Sequence, residues 1–237
     1  MSCTDSIRNL VFLKGLIVMV IALFSVISVH FAFAIGTSPK VYPIDSKPFN
    51  TPYPEWIVKW TQWLTSIPNN NNPASDTSGI HCGTNQVGPV WYLAGTFGGS
   101  AERTCTIPKG KAILTPVLSG FCTYLTDPPK TESELLKCAR EGNDGATIEA
   151  SVDGVPVQNL QQSRITSALS PFVIPAENPY GFTHSGKTQA IVDGWFLFLE
   201  PLSSGAHTIH FSGSTVDNPT TGTQSYSTDA TYHVNVQ

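Results

Sequence analysis

The chain has 237 residues, enough for one domain or at most two small ones. Only 13% of the residues are charged and the formal net charge is −4, so there is no basic surface for a phosphate backbone and nucleic-acid binding is excluded as a function class. The 19 glycines and 18 prolines, among many Ser and Thr, fit turn-rich β structure under a neutral polar surface.

Residues 1–34 have the form of an export signal. Arg8 and Lys14 lead, residues 15–29 are uncharged and mostly apolar, and Ala32-Phe33-Ala34 matches the small-x-small cleavage pattern. The rival reading is an uncleaved anchor, because residues 16–34 reach the roughly 20 needed to span a bilayer. Both readings put the bulk of the chain outside the cytoplasm, secreted, periplasmic or at the cell surface. The membrane is then met only through this segment, if it stays. Cleavage leaves 11 basic against 16 acidic residues. Residues 35–50 hold three prolines and no periodicity and read as an extended linker.

The 53–68 stretch, YPEWIVKWTQWLTSIP, carries three of the five tryptophans. At helical spacing Tyr53, Trp56, Ile57, Trp60, Trp63, Leu64 and Ile67 share an arc of roughly 120°. Thr51 is placed to cap this helix with Pro52 just inside, and Glu55 to pair with Lys59. Trp56, Trp60 and Trp63 have two readings. One is a stacking platform for sugar rings. The other is a core helix lying across one open sheet, favoured by the aliphatics in the same stripe.

Strand patterns follow. Residues 90–95 form a short apolar run. Ala101, Arg103, Cys105 and Ile107 alternate with Glu102, Thr104 and Thr106. Residues 111–118 make another candidate, where Pro116 implies an edge or a bulge. Thr131 and Glu134 form a capping-box pattern for a helix over 131–141. Asp153-Gly154 between 147–152 and 155–160 is the strongest hairpin signal. Residues 165–174 read as one strand. The run 194–199, GWFLFL, is apolar on both faces and reads as a central strand covered on both sides, next to a second Asp-Gly at 193–194. Segments 206–213 and 229–236 close the domain. The expectation is a mainly β fold: a two-layer antiparallel β-sandwich of jelly-roll or immunoglobulin-like topology, spanning 51–237 as one domain, with an N-terminal amphipathic helix and one short inserted helix.

Cys82, Cys105, Cys122 and Cys138 are even in number in an exported chain and predict disulfides. Cys82–Cys105 with Cys122–Cys138 closes the shortest neighbouring loops. Zinc ligation is the competing reading, and the wide gaps lack the C-x-x-C pairs it needs. His207, His210 and His233 raise a cupin-like metal site, yet strand periodicity puts His207 and His210 on opposite faces. Thus no metal and no cofactor is expected. Asp153 and Asp193 precede glycine as turn residues, while Arg103 and Glu200 suit a buried ion pair. No G-x-S-x-G, Walker loop or G-x-G-x-x-G after a strand occurs.

The elements Trp56-x3-Trp60-x2-Trp63, GPVWYLAGTFGG (88–99), RTCTIPKGKAI (103–113), DGVPV (153–157) and LEPLSSGAHTIHFSG (199–213) together resemble a family of exported bacterial and archaeal β-sandwich proteins of unassigned function. The resemblance covers the mature chain and implies export and fold, with no residue role attached. The functional expectation is a non-catalytic binding or envelope protein whose partner is a glycan or an envelope protein. The alternative is a carbohydrate-binding module or polysaccharide-active enzyme using Trp56, Trp60 and Trp63.

Overall fold

The structure, a computed structural model, describes residues 38–125, 131–220 and 223–237; the expected export signal lies outside them. Helix α1 (Tyr53–Thr65) precedes strands β1 (Val90–Tyr92), β2 (Gly99–Ile107) and β3 (Ala112–Thr123). Helix α2 (Glu132–Glu141) separates these from β4 (Thr147–Val152), β5 (Val155–Pro156), β6 (Arg164–Thr166), β7 (Ser170–Ile174), β8 (Gly186–Leu199), β9 (Gly205–Thr215) and β10 (Tyr226–Val236).

The strands form two sheets. One has the order β1-β3-β8, with β6 and β7 end to end along the far side of β8; the other runs β2-β10-β9-β4-β5. The sheets are mixed where antiparallel ones were expected, because β1 pairs β3 and β2 pairs β10 in parallel. The reason is the path of the chain. Between β1 and β3 it crosses to the other sheet to lay down β2, and two crossings return it in its original direction.

Strand β8 is the axis. Ala190 to Leu199 are all buried. Trp195, Leu197 and Leu199 point into the core between the sheets, where they meet Ile209, Phe211 and Val234. Val192, Phe196 and Phe198 point the other way, under α1. Helix α1 therefore adds a third layer to the sandwich. Its seven-residue stripe is buried throughout, and its edge-on ring contacts include Trp60 on Phe196 at 5.9 Å and Trp56 on Phe198 at 5.8 Å. Each fully buried large side chain there stabilises by about 1.5–3 kcal/mol.

Local details depart from the sequence pattern for identifiable reasons. Pro52, not Thr51, is the N-cap of α1, and it caps without a side-chain bond. Lys59 leaves Glu55 and sits 4.6 Å over the Trp56 ring. Asn72, fully buried, closes the other end of the helix by donating to the carbonyls of Leu64 and Ile67. Residues of the 35–50 segment dock on the first sheet, with Tyr42 N–H donating to Phe198 O and Glu200 N–H to Lys40 O. The 165–174 segment breaks into β6 and β7. Pro116 marks a bulge, as the register between β3 and β8 shifts between Pro116 and Leu118.

Asp193-Gly194 is no turn, since β8 runs straight through it. A Cβ on Gly194 would sit 2.3 Å from the Leu118 carbonyl oxygen, so glycine is required there for close strand approach. Asp153-Gly154 does turn, with φ of 52° and 75° as a two-residue hairpin needs.

Both edges of the first sheet are closed by glutamines. Gln62 donates to Val173 O and accepts from Val173 N–H on β7. Gln86 does the same to Tyr92 on β1 and also donates to Cys82 O.

The sulfurs pair as Cys82–Cys105 and Cys122–Cys138, with Cα separations of 5.9 and 6.1 Å. The first pins the loop ahead of β1 to β2, and the second pins α2 to β3. Two such bonds belong to an oxidising compartment. Among the described residues no helix is long and apolar enough to cross a membrane. Replacing Cys82 and Cys105 together by serine should lower stability by about 3 kcal/mol, the value for a loop of this length, read from urea unfolding at neutral pH.

Candidate functional site

The three indoles of α1 are 6%, 4% and 6% exposed at Trp56, Trp60 and Trp63. Each donates its N–H to a backbone carbonyl, of Pro48, Leu93 and Thr84 respectively. Stacking on a sugar needs an open ring face, and none of the three has one. They form the core under the helix. Trp60 alone reaches open space, as the back wall of two narrow recesses of about 70 and 200 Å³.

The histidines do not converge. His233 Nε2 meets Glu102 Oε1 at 2.7 Å and His210 Nε2 meets Asp229 Oδ1 at 3.3 Å, side by side on the second sheet. Among the described residues no three His, Cys, Asp or Glu side chains gather in a way that could hold a metal ion. Arg103 and Glu200 do not pair either; Arg103 is bound by backbone carbonyls and the Tyr232 hydroxyl instead.

A constellation absent from the sequence reading lies at the turns. His207 Nδ1 is 2.8 Å from Asp153 Oδ2, and His207 Nε2 is 3.3 Å from Ser203 Oγ. These are the distances of a Ser-His-Asp triad. The chemistry differs, because Nε2 lies closer, at 2.9 Å, to the Ser203 carbonyl oxygen, which can only accept. Both ring nitrogens thus face acceptors, which favours the doubly protonated ring. Burial pulls the pKa of His207 down, but the Asp153 hydrogen bond, the Ser203 carbonyl and the Asp153 charge outweigh it and raise it. An imidazolium cannot take a proton from serine. The cluster ties the 203–205 turn to the β4–β5 turn.

A pH dependence follows. With its folded pKa raised, His207 contributes stability that is full below its unfolded value of about 6.5 and is lost as pH rises through the folded value. His207→Gln should therefore cost more at pH about 5.5 than at pH about 9, as read from urea midpoints.

The open cleft lies elsewhere. It has a volume of about 740 Å³ and runs between the C-terminal end of α2, the middle of β3 and the 175–182 loop. Ser119 and Gly120 of β3 form its floor. Phe97, Phe121, Tyr180 and Tyr226 form one side, and the Cys122–Cys138 disulfide with Ala139 and Asn143 the other. Tyr180 is the hub of the rings. It stacks on Phe182 at 5.5 Å and meets Phe97 at 5.2 Å and Phe121 at 5.3 Å edge-on.

The loop carrying Tyr180 is held in place. Asn178 donates to the carbonyls of Pro175 and Phe182 and accepts from Phe182 N–H. Tyr226 donates its hydroxyl to Thr96 O, fixing the opposite rim. Burial, and then the neighbouring Tyr226, push the Tyr180 phenol well above its ordinary range, so it remains a neutral hydroxyl. Asn143 is placed by donating to the carbonyls of Ala139 and Asp193.

Four segments supply these rings, so no periodicity in the chain could join them. The available signals are the Ser119-Gly120 break inside an apolar strand and the aromatic pair Tyr180-Gly181-Phe182 after prolines. A scan against models of known protein families and a search of curated proteins both find nothing that matches this chain.

Proposed function

We propose that this chain is an exported binding module without catalytic activity, and that it takes its ligand in the aromatic cleft. The observation that carries this reading is the cleft itself: an open, largely pre-formed concavity with aromatic walls and a few uncharged polar groups, the usual make-up of a ligand site. The leader over 1–34, the two disulfides and the resemblance to exported β-sandwich proteins support a location outside the cytoplasm.

Residues 51–237 act as one domain whose wiring is immunoglobulin-like rather than that of a jelly roll. In that scheme β1, β3, β8 and the β6–β7 pair stand as strands A, B, E and D, and β4, β9 and β10 as C, F and G, with β5 beside C. The fold itself assigns no role. The cleft lies at the end of this sandwich, beside the inserted helix α2.

Two measurements test the reading. The secreted form should begin at Ile35; a mature chain that keeps Met1 would replace the cleaved leader with an anchor. A thermal-shift panel of extracellular metabolites and glycans should yield a stabilising compound whose effect disappears in Gly120→Leu. A panel in which every shift persists in that variant would remove the cleft from the proposal.

A further inference from the structure

The cleft contains polar groups left without partners. Asn143 is 3% exposed and spends its Nδ2 on Ala139 O, Asp193 O and Asp193 Oδ1. Its Oδ1 makes no hydrogen bond to a described residue, and it lies 3.9 Å from where a Cβ on Gly120 would stand in the cleft floor. The hydroxyls of Ser119 and Tyr180 likewise have no hydrogen-bond partner among the described residues. Among the described residues, no side chain lining the cleft carries a charge.

Resting on the binding role proposed above, we infer that the cleft takes a neutral saccharide, with one ring lying over Gly120. A sugar ring offers an apolar C–H face for the aromatic side and a rim of hydroxyls that donate and accept. The rim answers Asn143 Oδ1, Ser119 Oγ and the Tyr180 hydroxyl. A lipid tail would leave those groups desolvated and unpaired, which is unfavourable. A phosphate or carboxylate ligand would meet no cation among the described lining residues. Gly120 is what opens the floor: the nearest atom to an added Cβ is Asn143 Nδ2 at 3.7 Å, so the backbone tolerates a side chain and only the cleft loses space.

The test is isothermal titration of the mature protein with cellohexaose, xylohexaose, mannohexaose and chitohexaose, beside fluorescence titration with Nile red as an apolar probe. At least one hexasaccharide should bind. Gly120→Leu and Phe97→Ala should each weaken it about tenfold or more while circular dichroism and melting temperature stay unchanged. A hexasaccharide whose affinity survives both variants would place the sugar elsewhere and overturn the inference. If no hexasaccharide binds while Nile red binds the wild type and not Gly120→Leu, the saccharide is wrong and the binding role stands. If neither probe responds to Gly120→Leu, both fall.

Discussion

Replacing Arg103 by alanine is expected to destabilise the protein by about 4–5 kcal/mol, near the top of what one substitution does. Arg103 is 1% exposed, yet among the described residues no carboxylate forms an ion pair with it. Its Nε donates to Asp76 O at 2.6 Å, and Nη1 to Ala94 O at 2.6 Å, Gly95 O at 3.0 Å and the Tyr232 hydroxyl at 2.8 Å. Nη2 reaches Ala74 O at 3.4 Å, and the guanidinium lies 5.3 Å from the centre of the Tyr232 ring. One side chain thereby holds the 74–76 loop and the end of β1 against β2 and β10. Alanine leaves several carbonyls buried and unpaired, each costing about 1–3 kcal/mol before relaxation. Lysine keeps the charge but not the fork, and should recover less than half of the loss. Urea unfolding decides it: an Arg103→Ala variant within 1 kcal/mol of wild type would mean that water replaces the guanidinium.

The second large effect is at Asp193, whose side chain is fully buried. Its Oδ1 accepts from Arg164 Nε at 3.0 Å and pairs with Arg164 Nη2 at 2.9 Å, while Oδ2 accepts from Thr166 at 2.6 Å. Arg164 also reaches Asp144 at 2.7 Å and lies 4.9 Å over the Trp195 ring. Breaking a buried pair from one side strands the other charge, so Asp193→Ala should cost about 3–5 kcal/mol. A double variant with Arg164→Leu should cost less than the sum of the two single changes. Strict additivity would show that the pair carries no coupling. Asp193 is also one of the acceptors that position Asn143, so its loss should loosen the cleft wall as well as the sheet.

These two residues mark the limit of what the chain discloses by itself. The α1 stripe, the alternation around Arg103, the capping box at Thr131, the bulge at Pro116 and the disulfide pairing are local or periodic signals, and the structure follows them. Arg103 was legible as buried, but all its partners except the Tyr232 hydroxyl are backbone carbonyls, which leave no trace in residue identity. Glu200 looked like its mate only because both are charges in or next to apolar strands. Asp193-Gly194 carried the local signature of a turn; tertiary approach of β3, which demands the glycine, overrode it. The cleft was hidden for a third reason. Its rings are single aromatics on loops and strand ends, each unremarkable until the fold gathers them.

The amides that close the first sheet set a clock on the molecule. A strand edge asks for one donor and one acceptor, and Gln62 and Gln86 provide both, where a carboxylate provides only acceptors. Glutamine amides hydrolyse slowly with time and heat. Each such event would turn a donor into a negative oxygen facing Val173 O or Tyr92 O, push the side chain away, and leave a bare strand edge ready to pair with a neighbouring molecule. In a protein with so few surface charges to keep copies apart, chemical age would be read out as self-association before any loss of the core.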